Sequence, residues 1–410
     1  MRPEDFRAEA AGKVIRTPAR YFAFIPAPLP PKLEYDGELV RLLSRADAAL
    51  GELSGVGRHL PDPHVLISPY VRREAVLSSR IEGTTTELSE LLLDDIAKGA
   101  GTQDPDDVRE VRNYVTALEY GVRRLETLPL SLRLVRELHE RLMRGVRGDY
   151  ATPGEFRRSQ NWIGAPGSTI EAATYVPPPP DTLMETLGAW ERFLHDQESV
   201  PDLVQCALMH EQFEAIHPFL DGNGRVGRLL ITLFLVERQR LSQPLLYLSA
   251  WFERYRDDYL DGLQRVRTRG DWRGWLAFFL RGVTEIAAAA SRQAATLMDL
   301  REGLRKRLHD RPRAILLVDP LLTNPFMTVA RAEKIMKVSN PTARQLIGQL
   351  EKRKILEEVT GRGWGRVYLA RQVLDAIEDR DTKSRPNARS RSKRRTAGEP
   401  SARLRYDGAT

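Results

Sequence analysis

The sequence has almost no cysteine and no long apolar run, and each absence excludes a class of protein. Its 410 residues include one cysteine, Cys206, which can form neither an intramolecular disulfide nor a structural zinc site. The longest apolar run, Leu229 to Val236, is far shorter than the ~20 residues that span a bilayer. The amino-terminal segment carries charges of both signs and lacks the apolar core of a secretory signal. We therefore expect a soluble, cytoplasmic protein without a membrane partner.

Positive charge is in modest excess, with 63 Lys and Arg against 56 Asp and Glu and a formal net charge of +7. Ten Lys or Arg and three acids lie in residues 380–410, so residues 1–379 sum to zero. This segment is poor in large apolar residues, and burial cannot offset the entropy of ordering it. We predict a disordered basic tail over residues 376–410, which either contacts nucleic acid or acts as a solubilising extension.

The remaining residues predict a mainly α-helical protein of two to four domains. Helical spacing recurs at 108–145 and from about 201 to 290. Between them, Asn161–Ile163 and Thr174–Val176 flank a Gly- and Pro-containing segment and predict a hairpin. We expect four units: an N-terminal region at 1–100, a central domain at 101–290, a second domain at 291–375 and the tail at 376–410.

A short helix is predicted within the N-terminal region, at about 69–83. Ser68 and Pro69 are favourable residues for a helix start, and Gly83 can end the helix in the left-handed conformation. Ser78 and Glu82 then share one face. Glu82 falls in the last turn, at the negative end of the helix dipole, where the backbone does not stabilise a carboxylate. From spacing alone, a solvated surface glutamate is the ordinary interpretation.

One twelve-residue segment, residues 217–228, has several features of a phosphate-binding turn. Pro218 ends the preceding helix at His217, and the glycines on either side of Asn223 allow a tight turn into the next helix. The first N–H groups of that helix would then converge as an anion cradle. The segment also contains side chains with suitable chemistry: two arginines for phosphate oxygens, a carboxylate for Mg²⁺ and an imidazole as proton acceptor. These are Arg225, Arg228, Asp221 and His217.

This segment resembles the signature of the Fic (Fido) family, HPFxDGNGRxxR, and every fixed position of it is present. The resemblance implies a Fic helical core with a β-hairpin flap, and a protein adenylyltransferase that moves AMP from ATP to a Ser, Thr or Tyr hydroxyl with Mg²⁺. It implies that His217 is the catalytic base, that Asp221 holds the metal, and that the hairpin is the flap that aligns the target chain. The implied ATP-binding residues are Asp221, Gly222, Asn223, Gly224, Arg225, Val226, Gly227, Arg228 and, in the adenine pocket, Tyr259.

The same resemblance changes the interpretation of Glu82. Ser78-Ser-Arg-Ile-Glu82-Gly83 fits the inhibitory helix pattern of many Fic proteins. The implied role is autoinhibition, in which Glu82 pairs with Arg228 and withdraws that guanidinium from the γ-phosphate of ATP.

The segment from 313 to 370 resembles a winged helix-turn-helix, with short helices followed by a hairpin whose tip, Gly361–Arg366, is rich in glycine and arginine. Such a domain binds either DNA, with Thr342, Arg344 and Gln345 facing outward, or another protein.

Several alternatives remain open from the sequence. The chain is an AMP transferase, an enzyme that also removes AMP, or a DNA-binding transcriptional regulator whose core senses ATP. Relatives that transfer phosphate replace the second loop glycine with lysine, and Gly224 argues against that chemistry. The target protein, the modified residue, self-modification and a homodimer are not fixed by the sequence.

Overall fold

The computed structural model describes residues 1–59, 63–97, 105–146, 152–165, 167–361 and 363–378. This part is mainly helical with two small antiparallel sheets, which confirms the predicted fold class. None of the helices in these ranges has the length and apolar character needed to cross a membrane. The predicted basic tail lies outside the described residues except for 376–378, which are helical rather than part of the tail.

The described residues form five short strands and sixteen α-helices. The strands are β1 (Gly12–Arg16), β2 (Phe22–Pro26), β3 (Phe326–Thr328), β4 (Glu357–Glu358) and β5 (Val367–Leu369). The helices are α1 (Gly37–His59), α2 (Pro63–Ile81), α3 (Leu88–Asp94), α4 (Pro105–Arg124), α5 (Leu132–Leu142), α6 (Pro180–Leu194), α7 (Asp202–Ile216), α8 (Asn223–Glu237), α9 (Ser249–Arg254), α10 (Arg256–Arg269), α11 (Trp272–Arg307), α12 (Pro312–Ile315), α13 (Val318–Thr323), α14 (Val329–Met336), α15 (Asn340–Lys352) and α16 (Arg371–Glu378).

Helices α7 and α8 form the centre of the protein. Every residue of α7 after Asp202 is buried, and α8 is buried on all sides over most of its length. A helix that is buried on every side needs neighbours all round, and α4, α5, α6, α10 and α11 supply them. The turn between α7 and α8, residues 217–222, is therefore fixed at both ends by buried helices.

Helix α2 begins at Pro63, six residues before the predicted start at Pro69, which lies inside the helix. Ser68 does not cap the helix because it lies inside it, and its hydroxyl accepts a hydrogen bond from the Arg72 guanidinium. The helix packs against α4, α9 and α13. This packing outweighs the local preference for a start at Ser68 and Pro69. Gly83 does follow the helix with a φ of +103°, as predicted.

The N-terminal segment folds as an antiparallel hairpin, which the sequence analysis did not predict. Strands β1 and β2 pair from Gly12 opposite Pro26 to Arg16 opposite Phe22. The hairpin expected at 161–176 is less regular, because a single antiparallel bridge, between Ile163 and Tyr175, joins its two arms. We call residues 161–176 the flap, of which Pro166 lies outside the described residues.

The C-terminal part follows the order β3, α14, α15, β4, β5, with a three-stranded sheet in the order β3-β5-β4. Its assignment as a winged helix-turn-helix stays a prediction. The boundary expected near 290 lies inside α11, which continues unbroken to Arg307. Helix α16 returns to α11, where the Gln293 side-chain amide donates to the carbonyl of Ile377 at 2.7 Å. The apolar core therefore runs without interruption from the N-terminal helices into this part.

Candidate active site

The turn from His217 to Gly222 is compact and is closed by the side chain of the residue that follows it. His217 ends α7 in the left-handed conformation, with φ 50° and ψ 61°, which is unusual for a residue other than glycine. Gly222 precedes α8 with φ 77°. The Asn223 side chain accepts from the Phe219 N–H and donates to the Phe219 carbonyl, both at 2.8 Å. Asn223 thus uses its side chain to close the turn.

Residues far away in the sequence satisfy the turn's carbonyl groups. Arg157 Nε donates to the His217 carbonyl at 2.9 Å, and Asn161 Nδ2 donates to the Phe219 carbonyl at 2.8 Å. His139 Nδ1 accepts from the Gly154 N–H at 2.9 Å, so its Nε2 carries the hydrogen that bonds the Asp221 carbonyl at 3.1 Å. Burial lowers the pKa of His139 to about 4, and the ring is neutral at pH 7.

His217 is held in the form that can accept a proton. Its Nδ1 lies 3.3 Å from the Glu214 carbonyl, which can only accept a hydrogen bond, so Nδ1 carries the hydrogen and Nε2 the lone pair. Burial, and then the positive charge of Arg267, lower the pKa of His217 to about 3. The imidazole is therefore neutral near pH 7.

The first turn of α8 is positively polarised. The first hydrogen bond of the helix runs from the Val226 N–H to the Gly222 carbonyl at 3.0 Å. The N–H groups of residues 223–225 therefore have no carbonyl acceptor within the helix. The helix dipole places positive potential at the same point. Arg225 lies in this turn and Arg228 in the next one, and both are almost fully buried.

Arg228 contacts both Ser78 in α2 and Glu82 in the turn after α2, the two residues predicted to be inhibitory. Its Nη2 lies 2.7 Å from Glu82 Oε1 and 3.0 Å from the Ser78 carbonyl, and its Nε donates to Ser78 Oγ at 2.8 Å. Burial alone would raise the pKa of Glu82, but the Arg228 charge outweighs it and the pKa is lowered. A Cβ atom at Gly224 would collide with Glu82 Oε1. The Glu82 carboxylate thus lies over the first turn of α8.

Arg225 is bound by a carboxylate that the sequence analysis missed. Its Nη1 lies 3.0 Å from Glu110 Oε2 on α4, and its Nη2 lies 3.6 Å from Asp221 Oδ1. Asp221 keeps 23% of its side chain exposed and accepts from the Gly222 N–H at 2.5 Å. Glu110 lies more than a hundred positions before Arg225, and no spacing in the sequence points to their contact.

Tyr259 is not at an open surface. It is buried against Phe252, with ring centroids 4.4 Å apart, and its hydroxyl lies 3.0 Å from His210 Nε2. His210 Nδ1 in turn donates to the Gly227 carbonyl at 3.1 Å. Tyr259 therefore supports α8 through His210, and its role in an adenine pocket stays a prediction.

Comparison with protein families gives two adjacent matches. Residues 40–123 match the model described as Fic/DOC family N-terminal, and residues 129–235 match the model described as Fic/DOC family. The chain contains a Fic domain. The loop from His217 to Arg228 lies in the second match, and Ser78 to Gly83 lie in the first. The contact between Glu82 and Arg228 thus joins the two matched regions.

Curated relatives that match about a third of this chain carry an enzyme name. Over 134 residues the chain is 32% identical to protein adenylyltransferase Fic of Drosophila grimshawi and 31% identical to that of Drosophila melanogaster. The matches cover 32% of this chain and 26% and 25% of those proteins. The chain therefore spans about a quarter of the length of the curated relatives that it matches.

A solved structure shares the fold over most of the chain. The crystal structure of a Fic family protein from Desulfovibrio desulfuricans superposes with a TM-score of 0.54 and 20% identity. The match covers 83% of this chain and 98% of that one. At this identity the likeness supports the fold alone.

Proposed function

We propose that this protein is a protein adenylyltransferase, which transfers AMP from ATP to a Ser, Thr or Tyr hydroxyl of a target protein. The observation that carries the proposal is the loop itself, in which a neutral, hydrogen-bonded His217 lies beside a helix N-terminus with two buried arginines. The name of the Drosophila relatives supports the same activity.

In the proposed reaction, His217 Nε2 takes the proton of the target hydroxyl. The hydroxyl oxygen forms a bond to the α-phosphorus while the bond from that phosphorus to the bridging oxygen breaks, and pyrophosphate leaves. The α8 amides and the Arg225 and Arg228 guanidinium groups hold the phosphates and stabilise the charge that develops on them. The flap aligns the target chain by strand pairing.

The donor set fits a Mg²⁺ ion that arrives with the nucleotide. Mg²⁺ takes one or two carboxylates together with phosphate oxygens and waters, and Asp221 supplies a partly exposed carboxylate beside the anion site. Within the described ranges, no group of three or more His, Cys, Asp or Glu side chains forms a metal site by itself. When bound, the ion would neutralise phosphate charge and orient the leaving group.

Glu82 is proposed to inhibit the enzyme by competition. Its carboxylate contacts Arg228 and covers the first turn of α8, where phosphate oxygens would bind. ATP would then lose the Arg228 contact and bind in a pose unsuitable for transfer. Arg228 is the deeply buried partner of this pair, and leaving a buried charge without its partner is costly, which suits a switch.

The test uses the Glu82→Gly protein with α-labelled and γ-labelled ATP in parallel, followed by mass mapping. We expect label from α only and a sharp increase in self-modification over the wild type. The matched control is Glu82→Gly with His217→Ala, which should take no label. Transfer from γ only would overturn AMP transfer, and an unchanged rate from α-labelled ATP would overturn autoinhibition. Loss of label from modified protein on incubation with the wild type would identify AMP removal.

A second candidate is a DNA-binding regulator whose Fic core senses ATP. Residues 326–369 contain nine Lys or Arg and four Glu, and Trp364 at the tip between β4 and β5 is 85% exposed. A basic surface with an exposed aromatic side chain suits nucleic acid. This candidate predicts that His217→Ala leaves the cellular effect intact, whereas removal of residues 361–366 or of the tail abolishes it. The enzyme proposal predicts the reverse.

A further inference from the structure

A backbone hydrogen bond joins the N-terminal hairpin to the flap. The Phe24 N–H in β2 donates to the Val176 carbonyl of the flap at 2.9 Å. On its other side, this arm of the flap exchanges hydrogen bonds with Ile163: the Ile163 N–H reaches the Tyr175 carbonyl at 2.8 Å, and the Tyr175 N–H reaches the Ile163 carbonyl at 3.0 Å. The arm at 174–176 therefore lies between β2 and the arm at 161–163.

The hairpin and the flap share a small apolar core that is separate from the main one. Its central side chains are Phe24 and Tyr175, both 1% exposed, with ring centroids 5.9 Å apart. Phe6 packs on both rings, and Ala215 of α7 closes the cluster. The flap has few apolar contacts outside this cluster, so its order depends on the hairpin.

Polar contacts connect the hairpin and the flap to α7, the helix that ends at His217; we call residues 217–222 the catalytic turn. Tyr175 donates its hydroxyl hydrogen to the Ala215 carbonyl at 2.7 Å, two residues before His217. Gln212 Nε2 of α7 donates to the Ala27 carbonyl just after β2 at 2.6 Å. The Tyr21 hydroxyl lies 3.1 Å from Oε1 of Gln160, the residue just before the flap. The hairpin thus contacts the flap and the helix that ends at His217.

We propose that the β1–β2 hairpin is a positioning element for the flap, which fixes the flap against the catalytic turn and occupies one of its two edges. An extended target segment then adds only at the 161–164 edge. The proposal rests on the proposed function for the identity of the reaction. It goes beyond that function in assigning residues 12–26 to target alignment rather than to nucleotide binding.

The first test measures amide hydrogen exchange in the full chain and does not depend on activity. Phe24→Ala should speed exchange at Ile163 and Tyr175 by at least about tenfold, because local order is lost with its packing. Phe22→Ala is the matched control, since Phe22 lies in the same strand, is 36% exposed and should leave flap exchange unchanged. Tyr21→Phe, which removes the hydroxyl that contacts Gln160 and keeps the ring, should give a smaller increase. Unchanged flap exchange in Phe24→Ala would overturn the proposal.

The second test measures self-labelling from α-labelled ATP in the Glu82→Gly background. Phe24→Ala should lower the labelling rate by roughly 10- to 100-fold, the effect of misplacing a reacting group by about 1 Å. The Kd for MgATP, measured by calorimetry, should stay within about twofold of the parent because the nucleotide contacts come from α8. A parallel loss of MgATP affinity would overturn the proposal. If the Glu82→Gly parent takes no label, the proposed function fails, and the exchange test still decides the role of the hairpin.

Discussion

The two arginines of the Fic loop each contact a carboxylate that comes from outside the loop. Arg228 contacts Glu82 from the turn after α2, and Arg225 contacts Glu110 from α4 in addition to Asp221 in the turn. Three carboxylates therefore face two guanidinium groups. The positive end of α8 remains, but the side chains add no net positive charge with which to attract a polyphosphate.

Glu110 should accordingly weaken nucleotide binding. In the Glu82→Gly background, we expect Glu110→Gln to tighten MgATP binding by about three- to tenfold, because a charge-assisted pair competes with the phosphate for Arg225. Calorimetric titration measures this directly. Glu119→Gln, an exposed change on the same helix, should leave the affinity unchanged. A weaker affinity in Glu110→Gln would mean that Glu110 instead orients Arg225 for phosphate.

The individual residues that the sequence predicted correctly are those whose behaviour depends on nearby residues or on a short motif. The conformation at Gly83 depends on neighbouring residues, and the contact between Glu82 and Arg228 depends on a recognisable motif. Glu110, His139 and Arg157 bind the same loop from elements distant in the chain. Their approach is set by how the helices pack, and neither periodicity nor spacing in the sequence contains that information.

Packing also explains where elements differ from local preference. Helix α2 continues through Pro69 because its faces are covered by three other helices. The N-terminal strands form beside the flap, where Phe24 and Tyr175 bury each other. Element types with strong apolar periodicity, such as α4 and α5, were predictable from the sequence.

The close approach of α4 to α8 gives a prediction about one glycine. A Cβ atom at Gly121 would lie 2.8 Å from Leu233 Cδ1 of α8 and 3.0 Å from Leu138 Cδ2 of α5. We expect Gly121→Ala to lower the free energy of unfolding by about 1–3 kcal/mol through overpacking. The matched control is Gly55→Ala in α1, where no described atom outside its own helix would lie within 4 Å of the new Cβ. That change should stabilise the protein by about 0.5–1 kcal/mol. Urea unfolding measures both, and equal effects of the two changes would contradict the packing argument.

Across the whole molecule, buried ionisable groups respond to pH in opposite directions. Burial lowers the pKa of His210 and His217 to about 3, so their contribution to stability is present above about pH 6.5 and is lost as pH falls. Burial raises the pKa of Glu211 and Glu214 to about 7. Their contribution is present below about pH 4.5 and is lost as pH rises towards 7. The two sets therefore offset each other between about pH 4.5 and 6.5.

Replacing Glu214 should remove its contribution to the pH dependence of stability. Glutamine mimics the protonated carboxyl, so Glu214→Gln avoids the cost of burying a charge above pH 7. We expect the variant to be more stable than the wild type by up to about 3 kcal/mol at pH 7.5, and this difference should close as pH falls to about 4.5. Urea unfolding at four pH values between these limits measures the difference. Glu185→Gln, on the exposed side of α6, should follow the wild type throughout. A stability difference that does not change with pH would show that burial does not raise the pKa of Glu214.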